Sequence, residues 1–272
     1  MEIIRYTFFQ HAMIAAFLLS IACGIVGTYV VSRRIVFISG GITHASFGGL
    51  GVGFFLGINP LLAAFFFSVL SAFGIEYICR SNGYKRIRED SVIASVWSLG
   101  MAIGVIFMFL TPGYTPNLSA YLFGNILTVT RINLLWIAVL SGVLILAYIL
   151  FKKPIIYTAF DREFAITQGL PVRFIEYAMM FFISATIVLS IRLIGIMLLM
   201  SLITVPQMTA NLFTSNYQKI TITSCIIGFF GCISGLFLSY FFNVPTGAFI
   251  ILTLIVVFLS AKIIHYFIRT AI

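Results

Sequence analysis

Long apolar stretches, separated by short clusters of basic or turn-forming residues, follow one another from His11 to Ile268. A bilayer core about 30 Å thick is crossed by about 20 apolar residues in a helix. Runs of that length cover residues 11–31, 36–57, 60–79, 91–110, 132–151, 174–192, 194–213, 219–241 and 246–268. The pattern predicts an all-α, polytopic integral membrane protein with eight or nine transmembrane helices. The two counts differ over residues 174–213, which beyond Glu176 near the start hold a single interior charge, Arg192. Nine spans require Arg192-Leu-Ile-Gly195 to turn the chain; eight leave one crossing and an irregular piece. The first run lacks a small-residue cleavage site and reads as a span, not a removable leader.

Basic residues mark one side of these spans. If Arg33 and Arg34 face the cytoplasm, strict alternation of nine spans also places Arg80, Lys85, Arg86, Arg88, Lys152, Lys153, Arg162, Arg173, Lys219, Lys262 and Arg269 there. Of the 16 Lys and Arg residues only Arg5, Arg131 and Arg192 then fall outside, which is the asymmetry that sets membrane topology. An external N-terminus follows, whereas eight spans would move Lys219, Lys262 and Arg269 outward. In the external connection from Thr111 to Arg131, the Pro-Gly half is a turn-rich loop, and Tyr121-Leu-Phe-Gly-Asn-Ile-Leu127 is amphipathic enough to lie at the interface.

Composition removes whole classes of function. Only 8% of the residues are charged and 61% are hydrophobic, whereas about a quarter of a soluble domain is charged. The longest polar stretches are too short to fold alone, so residues 1–272 read as a single transmembrane domain and any soluble activity belongs to a partner. The net charge of +9 resides in loops as a topology signal, so no nucleic acid is implied. Cys23, Cys79, Cys225 and Cys232 lack metal-ligand spacing and read as small hydrophobes. The chain has no phosphate-binding loop, no zinc-protease or nucleophile-elbow motif and no intramembrane carboxylate pair, which speaks against catalysis.

One run departs from the aliphatic pattern. Ser39-Gly-Gly-Ile-Thr-His-Ala-Ser-Phe-Gly-Gly-Leu-Gly-Val-Gly53 sets a single histidine among glycines. Gly49, Gly53 and Gly57 recur at four-residue spacing, and with Gly40 and Gly48 they predict a surface that a second backbone can approach closely. An ionisable residue on such a surface is a site candidate. His44 is therefore expected to be a transient ligand on a metal pathway, with Ser39, Thr43 and Ser46 as nearby oxygens, or else to bond a neighbouring helix. The rival reading is a multipass intramembrane enzyme acting on a lipid or peptide, with His44 as general base; it offers only Thr43 or Ser46 as a local nucleophile. Pro206 frees a backbone carbonyl that must be satisfied or face a cavity, so Pro206 and Gln207 are further pathway candidates. Glu76 is expected to pair with Arg80 one turn on, both heads reaching the cytoplasmic interface. His11 and His265 read as boundary rings.

Between the basic pair Lys152-Lys153 and Arg173, Asp161 precedes helix formers and is followed by Gly169 and Pro171. That order is a short helix with an N-cap, a terminating glycine and a breaker, suited to docking a soluble partner. Taken in order, His-Ala-Ser-Phe-Gly-Gly, Arg-Glu-Asp-Ser at 88–91, the 121–127 segment, Phe-Asp-Arg-Glu-Phe-Ala-Ile-Thr-Gln-Gly-Leu-Pro-Val at 160–172, Val-Pro-Gln-Met-Thr-Ala at 205–210 and Val-Pro-Thr-Gly-Ala at 244–248 resemble the permease subunit of bacterial ABC transporters for zinc, manganese or iron. The resemblance spans the chain. It implies a multi-pass homodimeric permease of the bacterial inner membrane, two cytoplasmic ATPase subunits that hold the ATP, an external metal-binding protein, and a divalent metal as substrate with no permanent cofactor. It also implies that residues 153–173, with Asp161, Glu163, Ala165 and Gly169, form the segment that couples to the ATPase. The family commonly places an aspartate four residues before this histidine; here that position is Gly40.

Overall fold

The computed structural model describes residues 5–81, 88–112 and 124–270, apart from the side chains of Arg80, Ser81 and Arg269. Lys85, Arg86, residues 113–123 of the external connection and the Arg80 end of the expected Glu76 pair lie outside the described residues. Among the described residues the regular structure is helical: α1 Thr7–Ser32, α2 Val36–Phe55, α3 Pro60–Ser81, α4 Glu89–Leu110, a 3₁₀ turn at Ile126–Thr128, α5 Arg131–Phe160, α6 Arg162–Thr167, α7 Val172–Phe213, α8 Tyr217–Phe242 and α9 Thr246–Thr270.

Seven of these helices, α1, α3, α4, α5, α7, α8 and α9, are long and apolar enough to cross a membrane. Helix α2 is of similar length, but its glycines, serines and His44 lower its apolarity, and most of its residues are buried within the protein. The 42 residues of α7 would extend about 63 Å at 1.5 Å per residue, roughly twice the hydrocarbon core. Gly195 interrupts them with φ 75° and ψ 170°, a conformation open essentially to glycine alone. The break falls at the end of the Arg192–Gly195 segment on which the nine-span reading depends, and it leaves two apolar pieces, each about one span long. Helix α5 is interrupted too: Phe151, at φ −110° and ψ 23°, leaves the helical region shortly before Pro154. A helix-interior proline removes a hydrogen bond and crowds the preceding turn, so the span expected to end at residue 151 does so for a local reason.

The chain forms two compact units, one of Met1–Ser32, Ser119–Lys152 and Leu189–Ile272, the other of Arg33–Leu118 and Lys153–Val188. In the first, α1 is buried along most of its length and packs on α8. A Cβ on Gly24 would strike the Cys225 Sγ, and one on Gly235 of α8 would lie 2.6 Å from the Ile250 Cα of α9. The four cysteines are unbridged, with Cys23 and Cys232 buried, and the His265 ring meets the edge of Phe213 at 5.8 Å.

In the second unit α2 packs on both α3 and α4. Toward α3, a Cβ on Gly49 would lie 2.5 Å from the Ala63 carbonyl oxygen, and one on Gly53 would lie 2.7 Å from the Pro60 Cα. Toward α4, the corresponding distances are 3.1 Å from Gly48 to the Gly100 oxygen and 2.8 Å from Gly51 to the Gly104 Cα. Gly40 is buried near the start of the same helix. Gly57 corrects the sequence reading: it lies beyond the C-cap Leu56 at φ +66°, with nothing within 4 Å of a Cβ. It ends α2 as a left-handed glycine and takes no part in the packing face.

Candidate metal pathway and coupling site

Backbone contact between α2 and α4 builds the surroundings of His44. Gly100 has no Cβ to hold off Ala45, and Gly104 admits the Phe47 carbonyl oxygen 2.7 Å from where its Cβ would stand. Trp97 and Met101, one turn apart on α4, therefore meet His44. The imidazole stacks on the Trp97 indole with ring centroids 4.2 Å apart and planes 9° apart. Its Nδ1 is 3.4 Å from the Met101 Sδ, and Phe47 stacks more distantly at 6.3 Å. The three local oxygens are engaged in the helix itself. Ser39 Oγ donates to the Val36 carbonyl at 2.6 Å, Thr43 Oγ1 to the Ser39 carbonyl at 2.5 Å and Ser46 Oγ to the Thr43 carbonyl at 2.6 Å. Among the described residues no three His, Cys, Asp or Glu side chains gather as metal ligands. Sequence reasoning missed Trp97 and Met101, although Gly100 and Gly104 at four-residue spacing were a legible mark of the helix that α2 packs against.

The second cluster is ionic. Arg33 Nη2 lies 2.9 Å from Glu76 Oε1 and 3.3 Å from Glu176 Oε1, and the Glu176 oxygen also accepts from Arg162 Nε at 3.0 Å. The side chains of Arg33, Glu76 and Glu176 are 8%, 5% and 2% exposed, while that of Arg162 is 31% exposed. One expectation is corrected here and another is extended. Glu76 is buried and binds Arg33, while the Arg80 end of its expected pair lies outside the described residues. Carboxylates do come together within the apolar helices, Glu76 of α3 and Glu176 of α7 meeting at Arg33. A lone acid inside the otherwise apolar run after Arg173 was the available signal, since such a residue requires a partner.

Arg162 opens the coupling segment. Asp161 Oδ1 accepts from the Phe164 amide at 2.9 Å and caps α6. At the other end the Leu170 amide donates to the Ala165 carbonyl at 3.2 Å and the Gly169 amide to the Ile166 carbonyl at 2.9 Å. With Gly169 at φ +70°, this is the paired-bond helix stop that favours glycine. Ala165 is buried, whereas Glu163, Phe164 and Ile166 are exposed, so α6 holds the unit by one face and offers the other outward.

Pro206 and Gln207 belong to the first unit and His44 to the second. Pro206 leaves the Leu202 carbonyl without its helical donor, and Gln207 Nε2 supplies one at 3.3 Å while also donating to the Cys23 carbonyl of α1 at 2.9 Å. Gln207 is fully buried, and its Oε1 has no hydrogen-bond partner. In the same unit Gly124 takes φ +55°, and a Cβ there would meet the Gly195 nitrogen. The Gly-Asn-Ile-Leu segment at 124–127 is thus set against the break in α7, with Ile126 buried.

Residues 5–265 match the model of the ABC 3 transport family. A membrane protein of unassigned function from Synechocystis is 36% identical over 258 residues, covering 95% of this chain and 91% of that protein. The manganese import system permease ScaB of Streptococcus gordonii is 31% identical over 255 residues, with 93% and 90% covered. Among solved structures, PsaBC of Streptococcus pneumoniae superposes with a TM-score of 0.83 at 29% identity, covering 96% of this chain and 92% of that one. With its helices, its glycine-built α2 and its family match extending over nearly the whole chain, this protein belongs to the ABC 3 transport family.

Proposed function

We propose that this membrane-spanning subunit of a metal-ion ABC importer, a multi-pass protein of the bacterial inner membrane, passes a divalent cation by His44 and is moved by a separate ATPase through α6. The observation that carries the reading is the juxtaposition within one unit of a fixed imidazole on α2 and an ion network rooted in α6. Arg162 starts α6, its partner Glu176 lies on α7, and Arg33 lies in the turn that leads into α2. A push on the exposed Phe164 and Ile166 face is transmitted through these charges to the start of the His44 helix. Closely packed glycines at Gly48, Gly49 and Gly53 let α2 shift without side-chain interlocks, and buried Gly40 continues that surface. Pro206 and Gln207 contribute to the pathway as the joint between α1 and the broken α7. The two units act together as one permease domain, paired with a second copy, two cytoplasmic ATPase subunits and an external metal-binding protein. ATP is held by the ATPases, and the cation is cargo with no permanent cofactor. The general-base alternative has less support, because Thr43 and Ser46 donate their hydroxyl protons to backbone carbonyls and not to His44.

The test is metal flux in proteoliposomes holding the permease, its ATPase and its binding protein. His44→Ala should cut zinc or manganese flux at least tenfold while ATP hydrolysis and membrane insertion stay near wild type. Wild-type flux, or loss explained by lost protein, would remove the histidine from the pathway.

A further inference from the structure

His44 is presented to Met101 in a geometry that suits a shared metal. With about 2.1 Å from metal to imidazole nitrogen and, for a thioether sulfur, a little more than a thiolate's distance of about 2.3 Å, donors 3.4 Å apart subtend roughly 95–100° at the metal, open enough for both to bind one cation. Trp97 stacked on the ring face fixes the imidazole plane, the kind of support that orients a ligand and sharpens its selectivity. One turn before His44 the helix carries Gly40 and so offers no carboxylate, and the Ser39, Thr43 and Ser46 hydroxyl protons are committed to the backbone. The donors presented together here are one nitrogen and one thioether sulfur.

Sulfur donors select copper(I), zinc and similar soft or borderline cations, whereas carboxylate, carbonyl and water donors suit manganese. We propose that Met101 is the second metal donor beside His44 and determines specificity, making the site one for zinc in preference to manganese. This rests on the reading that the cation passes His44, and it differs from what the names of the manganese permeases alone would suggest. Because the sulfur and the imidazole come from two helices whose backbones approach closely at Gly48, Gly51, Gly100 and Gly104, a small shift of α2 along α4 changes their separation. The site can therefore hold a cation in one position of α2 and release it in another.

The experiment uses the purified permease–ATPase complex in nanodiscs, with zinc chloride and manganese chloride as probes. Competition binding should show zinc held at least tenfold more tightly than manganese. X-ray absorption at the zinc edge should show a sulfur neighbour together with imidazole nitrogen. Met101→Leu, which conserves volume, should remove the sulfur shell and lower zinc affinity at least tenfold, and Met101→Cys should restore both. A nitrogen and oxygen shell in the wild type, with Met101→Leu unchanged and His44→Ala abolishing binding, would overturn the role of Met101 and leave the His44 pathway standing. Binding unaffected by both His44→Ala and Met101→Leu would overturn this inference together with the pathway it rests on.

Discussion

Replacing Glu176 by glutamine tests whether α6 is tied to the rest of its unit through charge. The substitution keeps the volume and the hydrogen-bonding shape but removes the negative charge from an oxygen that accepts from Arg162 at 3.0 Å and from Arg33 at 3.3 Å. A hydrogen bond to a charged group contributes about 1.5–3 kcal/mol, and a neutral one about half that. Breaking a fully buried ion pair costs about 3–5 kcal/mol. Arg33 keeps Glu76 at 2.9 Å, and Arg162, 31% exposed, regains water, so the expected cost lies near the lower end, about 3 kcal/mol. Arg162→Met removes only the most exposed member and should cost about 1 kcal/mol or less. Equilibrium unfolding in mixed micelles, followed by the fluorescence of the protein's two tryptophans, gives both numbers. A cycle with Arg33→Met should show coupling above about 1 kcal/mol, as expected for residues in one network. Equal small effects of Glu176→Gln and Arg162→Met, with additive cycles, would refute the network. In the reconstituted importer Glu176→Gln should also leave ATP hydrolysis running with reduced metal flux, whereas tightly coupled transport in that variant would show that force reaches α2 by another route.

Other substitutions separate packing from conformation. Gly49→Ala should lose at least about 2 kcal/mol, because its Cβ would meet the Ala63 and Ala64 backbone, while Gly74→Ala, with nothing within 4 Å, should be neutral or stabilising by up to about 1 kcal/mol; the same unfolding titration compares them. Gln207→Leu should cost about 1–3 kcal/mol by stranding the Leu202 carbonyl, and Pro206→Ala, which returns a backbone donor, should recover part of it; no recovery would show that the bond to Cys23 is the one that matters. Ala165→Pro should leave the permease inserted but abolish ATPase stimulation, since proline inside a helix costs about 3 kcal/mol; normal uptake by this variant would end the docking reading. Reporters fused after Lys153 and after Arg269 should both behave as cytoplasmic, and an external reading at the second would favour eight spans.

What was legible in the sequence was what depends on neighbours along the chain. Apolar length located the helices, and Asp161, Gly169 and Pro171 marked the bounds of α6, because a cap and a left-handed stop are decided within a few residues. Gly195 was legible for the same reason: a helix twice the membrane's thickness has to break, and glycine is where breaking is least costly. Gly57, also a glycine at the helical repeat, was misread, since four-residue spacing cannot tell a packing position from a helix stop one turn further on. Only the backbone angle separates them, and the angle depends on where α3 begins.

The residues that meet across helices were hidden for a physical reason. Glu76 and Glu176 lie a hundred positions apart, and nothing in their sequence spacing indicates that one arginine meets both. A buried carboxylate, however, needs a charge delivered into the protein interior, because a partner that stays in water does not offset its desolvation. Arg33 provides that charge from the turn between α1 and α2, where Arg34 takes a left-handed φ of 62°, a conformation costing a side-chain-bearing residue about 1–2 kcal/mol. The ion pairs of Arg33 hold that turn in place. The turn that sets the start of the His44 helix and the network that anchors α6 are therefore one structure, and a change at either end is expected to be felt at the other.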